Sequence, residues 1–126
     1  MKSNVLPILL ATIWISISEV FRNTFLLHGS WVEHYNNLGQ TFPELPINGA
    51  VWGVWSLVFS IVIFIISKKY SFVETIILAW IIGFVMMWLV IGNLGVLPFS
   101  ILPFAIPLSI LEVSVAVWII SKFNKI

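Results

Sequence analysis

The sequence predicts an all-α membrane protein, a four-transmembrane-helix bundle, and three observations carry that prediction. Of its 126 residues, 60% are hydrophobic and only 9% charged. A soluble domain carries about 25% charged residues, so this composition cannot build a water-facing surface. Four apolar stretches, at about 5–27, 48–67, 72–91 and 99–121, are each long enough to cross a hydrocarbon core of about 30 Å. The lysines then fall on alternate connections: Lys2 at the start, Lys68 and Lys69 in the middle turn, Lys122 and Lys125 at the end, with none in the other two. By the positive-inside rule, the N and C termini and the middle turn are cytoplasmic and the loop 28–47 faces outward. The expected protein is a single integral membrane domain over 1–126, multi-pass, in the plasma (inner) membrane. With no cysteine, disulfides, thiol chemistry and sulfur-ligated metals are excluded. No basic patch exists for nucleic acid.

The first stretch follows a short basic start. A signal peptide ending at Ser16-Ile17-Ser18 is the competing reading, but apolar residues resume at Val20, Phe21, Phe25, Leu26 and Leu27, which favours a retained helix. His28 to Ile47 holds Glu33, His34, Asn36, Asn37, Gly39, Gln40, Pro43, Glu44 and Pro46. It reads as irregular loop or short turns, lying against the interface through Trp31, Tyr35 and Phe42.

Asn48 opens the second span as its expected N-cap. Gly49, Gly53, Ser56 and Ser60 then recur at i, i+4, i+7 and i+11, a small-residue stripe. Such a stripe lets backbones approach closely in lipid, for packing inside the bundle or for a homo-oligomer. Ser71-Phe72-Val73-Glu74 reads as a capping box at the start of the third span, which gives Glu74 a structural role. Ala79 and Gly83 form a second small pair there. Pro98, Pro103 and Pro107 punctuate the approach to the fourth span. Its helix is expected to start near Pro98 with a kink at Pro107, or to start late near Pro103.

Against this apolar background stands Ser18-Glu19-Val20-Phe21-Arg22-Asn23. Glu19 lies nine residues inward from His28, roughly 13 Å, and Glu112 eleven inward from Ile101, roughly 16 Å at the helical rise. The two acids are therefore expected at similar depth, with Arg22 one turn from Glu19 on the same face. Thr12, Ser16, Glu19 and Asn23 form a polar stripe on the first helix. Ala105, Ser109, Glu112 and Ala116 form a small stripe on the fourth. Each charge at helix centre costs about 2.5–3.5 kcal/mol, so Arg22 must pair with an acid. One carboxylate is left over, and burial in lipid disfavours its charged form. A proton shared or exchanged at this site is expected.

The candidate ligand- or proton-binding residues are accordingly Glu19, Arg22, Asn23, Ser109 and Glu112, with His28 as a proton relay at the outer mouth. The bland alternative is an Arg22 clamp between the first and fourth helices, or Arg22 snorkelling to headgroups. His28, Glu33, His34 and Glu44 match no compact metal motif, and no metal is expected. Phosphate loops, nucleophile elbows and H-E-x-x-H are absent, so no cofactor is implied.

These residues suit a small polytopic membrane protein that binds or transports a small molecule or ion. Membrane lipid and a small-molecule, ion or lipid ligand are the expected partners. One alternative is an intramembrane enzyme on a lipid or isoprenoid-like substrate, with Glu19 and Glu112 as acid and base. The other is a non-catalytic membrane subunit or assembly factor. In general build (four spans, few charges, one glutamate in the first helix) the chain is similar to the small multidrug resistance family. It departs from that family in its long 28–47 loop, in its later-helix motifs, and in lysines that favour one fixed orientation.

Overall fold

The computed structural model describes residues 2–124, and side chains over 4–123. Of the lysines used above for sidedness, Lys125 lies outside these residues, as does the side chain of Lys2. The regular structure of the described residues is all helical, without a strand. Four helices are long and apolar enough to span a membrane: Asn4–Leu26, Pro46–Ser67, Phe72–Asn93 and Phe99–Phe123.

Helix α1 covers Lys2–Val20 and runs on through a π-helical turn, Phe21–Leu26. The wider hydrogen-bond step is visible where Leu27 N–H reaches the Arg22 carbonyl at 2.8 Å. The connection that follows is not the irregular loop the sequence suggested. His28–Asn37 forms a ten-residue helix, α2. Its His28, Trp31 and Tyr35 share a face by helical spacing and all meet the Phe42 ring, with centroids 6.2, 5.8 and 5.2 Å away. Tertiary aromatic contacts thus hold a segment whose Gly29 and asparagines argue for a loop. His34 Nε2 also hydrogen-bonds the Gly95 carbonyl at 2.8 Å, tying α2 to the turn between the third and fourth spans. Gly95 itself sits at φ +78°, a conformation that only glycine adopts without strain.

Helix α3, Pro46–Ser67, begins two residues earlier than its expected cap. Pro46 takes the first helical position, where a missing N–H costs nothing, and Leu45 is the N-cap. Asn48 instead sits in the first turn and reaches back, its Oδ1 accepting from Leu45 N–H at 2.9 Å. At the start of α4, Phe72–Trp80, Ser71 and Glu74 do form the capping box, with both bonds in place (3.0 and 3.2 Å). The third span continues through a second π-helical turn, Ile81–Val85, into α5, Met86–Asn93. The fourth enters by a 3₁₀ turn, Phe99–Ile101, and runs unbroken as α6, Leu102–Asn124, with Pro107 inside it.

Helix α1 packs against α3 and α6, and α4 packs against α6 and α3. Close contact between α3 and α5 is sparse, and α5 meets the interior chiefly through Trp88, which packs against both apolar clusters. One apolar cluster gathers Ile15, Phe59, Ile63, Phe84, Val113 and Val117; a second, at the α2 end, gathers Leu27, Leu97, Ile101 and Ala105. The small stripe of α6 faces inward entirely, with Ala105, Ser109, Glu112 and Ala116 all buried. The α3 stripe divides. Ser56 and Ser60 are buried, whereas nothing lies within 4 Å of a Cβ placed on Gly49 or Gly53.

Candidate functional site

Between the two apolar clusters lie the buried charges. Arg22 is 5% exposed, Glu19 9% and Glu112 fully buried. The π-helical turn carries Arg22 and Asn23 to the interior, and Arg22 there bridges two helices. Its Nη2 donates to Glu19 Oε2 at 2.7 Å, one turn away, and its Nη1 donates to Glu112 Oε1 at 3.0 Å, on α6. The guanidinium carbon also stands 5.3 Å from the centre of the Phe84 ring, which the second π-helical turn carries.

Further bonds fix each member. Ser18 Oγ donates to Glu112 Oε1 at 2.6 Å, and Trp14 Nε1 donates to the Glu112 carbonyl at 2.8 Å. Asn23 Nδ2 donates to the Glu19 carbonyl (3.1 Å) and to Glu19 Oε1 (3.2 Å). The Asn23 Oδ1 in turn accepts from Trp31 Nε1 at 3.0 Å, so α2 is hydrogen-bonded into the cluster. Glu112 Oε2 finds no donor among the described residues. Glu19 and Glu112 thus meet on the same guanidinium. With both acids ionised, this group carries one negative charge in excess.

Of the residues singled out by sequence, Glu19, Arg22, Asn23 and Glu112 come together. Ser109 does not join them. Its hydroxyl accepts from Trp80 Nε1 at 2.8 Å and donates to the Ile106 carbonyl at 2.9 Å. His28 is also apart, pairing with Glu44 Oε1 at 2.6 Å on the exposed side of α2. Thr12 turns its hydroxyl back onto the Ile8 carbonyl at 2.7 Å. No group of three or more metal-ligating side chains forms among the described residues.

Ser18, Trp14, Trp31 and Phe84 also belong to the site and were not among the candidates from sequence. The signal available for the two indoles was chemical: a Trp N–H buried in an apolar setting needs an acceptor, and few acceptors exist here. Phe84 carried no signal, because its meeting with Arg22 depends on both π-helical turns.

A cavity of about 320 Å³ opens onto this cluster. Glu19, Arg22 and Asn23 form its polar end. Its apolar walls combine the rings of Trp31, Trp52, Trp55, Phe84 and Trp88 with Val51, Met87, Ile91, Ile101 and Ala105. Glu112 is not part of its lining and stands behind Arg22. No protein-family model, curated protein or solved structure matches this chain, and its functional reading therefore rests on the geometry of the site.

Proposed function

We propose that this chain is a small-molecule-binding protein of the membrane, with its ligand held in the aromatic cavity against Glu19, Arg22 and Asn23. One observation carries the reading. The described cavity converges on the same buried charges that the apolar chain can least easily accommodate. Apolar walls with a few convergent polar groups are the usual form of a ligand site, and ionisable groups at membrane depth are retained for function. The excess negative charge is cancelled by one proton shared between Glu19 and Glu112, and ligand contact at Glu19 moves that proton. Such a site suits binding coupled to transport. Acid–base catalysis by the two glutamates is disfavoured, because Glu112 lies outside the cavity lining.

The expected setting is a plasma (inner) membrane, with both termini cytoplasmic and α2 on the outer side. Gly49 and Gly53, open on the face of α3, are the surface for a homo-oligomer.

The test is native mass spectrometry of the protein purified in mild detergent. Wild type should carry a bound small molecule that Glu19→Gln reduces and that Val51→Phe, at the cavity's exposed rim, displaces. Identical occupancy in all three proteins sinks the proposal. So does full retention of function in well-folded Glu19→Gln and Glu112→Gln variants.

A further inference from the structure

The class of ligand follows from which charges face the cavity and where the cavity opens. Glu19 and Arg22 are the two charged residues in its lining, in contact at 2.7 Å. With the shared proton on Glu112, together they present a dipole with no net charge. The surplus acid, Glu112, is shielded behind Arg22 and fully buried. An anion would bring a further negative charge beside two carboxylates that already share the one cation. A cation would meet Arg22 directly, and the Phe84 face is already engaged by that guanidinium.

The unused hydrogen-bonding capacity points the same way. A guanidinium has five N–H donors, and Arg22 commits one to each acid. Each Glu19 oxygen accepts one bond, from Arg22 or from Asn23, and has room for a second. Asn23 has both its amide donor and its oxygen engaged. What remains is a donor and an acceptor side by side, which an uncharged hydroxyl satisfies at once.

The opening faces sideways. Val51 and Met87 line the cavity yet are 57% and 40% exposed, and Trp52 beside them is 39% exposed. They lie on α3 and α5, between which close contact is sparse. Val51 is five residues inside the start of α3, and Met87 six inside the end of α5, so both sit roughly 8 Å below the helix ends. That is the depth of acyl chains. About ten water volumes of about 30 Å³ each would fill the cavity, enough for a head and the first part of a chain.

From these we infer that the cavity takes an uncharged single-chain amphipath, a long-chain alcohol, entering from the lipid between α3 and α5 with its hydroxyl on the Glu19–Arg22 pair. This rests on the ligand-binding reading above.

The probes are 11-bromo-1-undecanol, 11-bromoundecane-1-sulfonate and (11-bromoundecyl)trimethylammonium, added to the full chain in nanodiscs. Binding is read as saturable quenching of tryptophan fluorescence after correction for partitioning into lipid. The alcohol should bind at least tenfold more tightly than either ion. Because the chain leaves the cavity past Trp52, Trp52→Phe should lower the saturable signal. Val51→Phe, on an exposed position that leaves folding intact, should weaken it at least tenfold. Tighter or equal binding of an ion overturns the alcohol assignment and leaves a small-molecule site standing. Quenching that never saturates, or that Val51→Phe leaves unchanged, removes both the assignment and the site.

Discussion

Replacing Arg22 by methionine is the most direct test of the buried cluster. The change keeps an unbranched apolar stem and deletes the one cation that two acids share. Both of its ion-pair bonds are short, 2.7 and 3.0 Å, and its side chain is 6% exposed. Hydrogen bonds to charged groups are worth about 1.5–3 kcal/mol each, so the pair together gives roughly 3–6. Breaking buried ion pairs by removing one partner costs about 3–5 kcal/mol. The two routes agree, and a loss of about 3–5 kcal/mol is expected on equilibrium unfolding in mixed detergent micelles, followed by tryptophan fluorescence. A second variant isolates the cause. Substituting methionine at Glu19, Arg22 and Glu112 together removes every charge, and such replacements are often neutral or stabilising. The triple variant should therefore return most of the loss. A single-variant loss below about 1 kcal/mol, with no coupling to Glu112, would falsify the buried bridge and return Arg22 to a snorkelling surface residue.

Other expectations are local. Gly83→Ala should cost about 1–3 kcal/mol by overpacking, since its Cβ would stand 2.5 Å from the Phe59 ring. Gly53→Ala meets nothing and should be neutral or stabilising by up to about 1 kcal/mol; thermal melts compare the two, and a costly Gly53→Ala would mark a contact between copies. Trp31→Phe deletes the bond to Asn23 and should cost about 0.5–1.5 kcal/mol. Hydrogen exchange should then rise over 28–37, and no rise would mean that α2 is held by its histidines instead. Ser71→Ala should lower stability by about 0.5–2 kcal/mol through loss of the α4 cap; an unchanged melt would show the cap to be dispensable.

The spans were legible because hydropathy over a membrane's width is a direct physical requirement, and the four helices match the four apolar stretches closely. The meeting of Glu19, Arg22 and Glu112 was legible for a related reason. Helical rise fixes depth, and antiparallel helices compared from one face place the two acids together. Helix α2 was not legible, since Gly29, Asn36 and Asn37 disfavour a helix that tertiary contacts to Phe42, Asn23 and Gly95 hold. Neither π-helical turn left a trace in residue type, because hydrogen-bond register is not written in hydropathy. Asn48 misled because it caps from within the first turn, through its side chain. The cavity was invisible because its lining is drawn from all four spans and α2, and no single segment encodes that.

The cavity also separates a working site from a structural clamp. Arg22 does join α1 to α6, as a clamp would, and that alone accounts for both acids. It does not account for about 320 Å³ of unpacked volume beside them. The space ends on Glu19, Arg22 and Asn23 and is walled by apolar side chains that include Trp52, Trp55, Phe84 and Trp88. A clamp between α1 and α6 needs no cleft beside its ion pair, whereas a ligand site does.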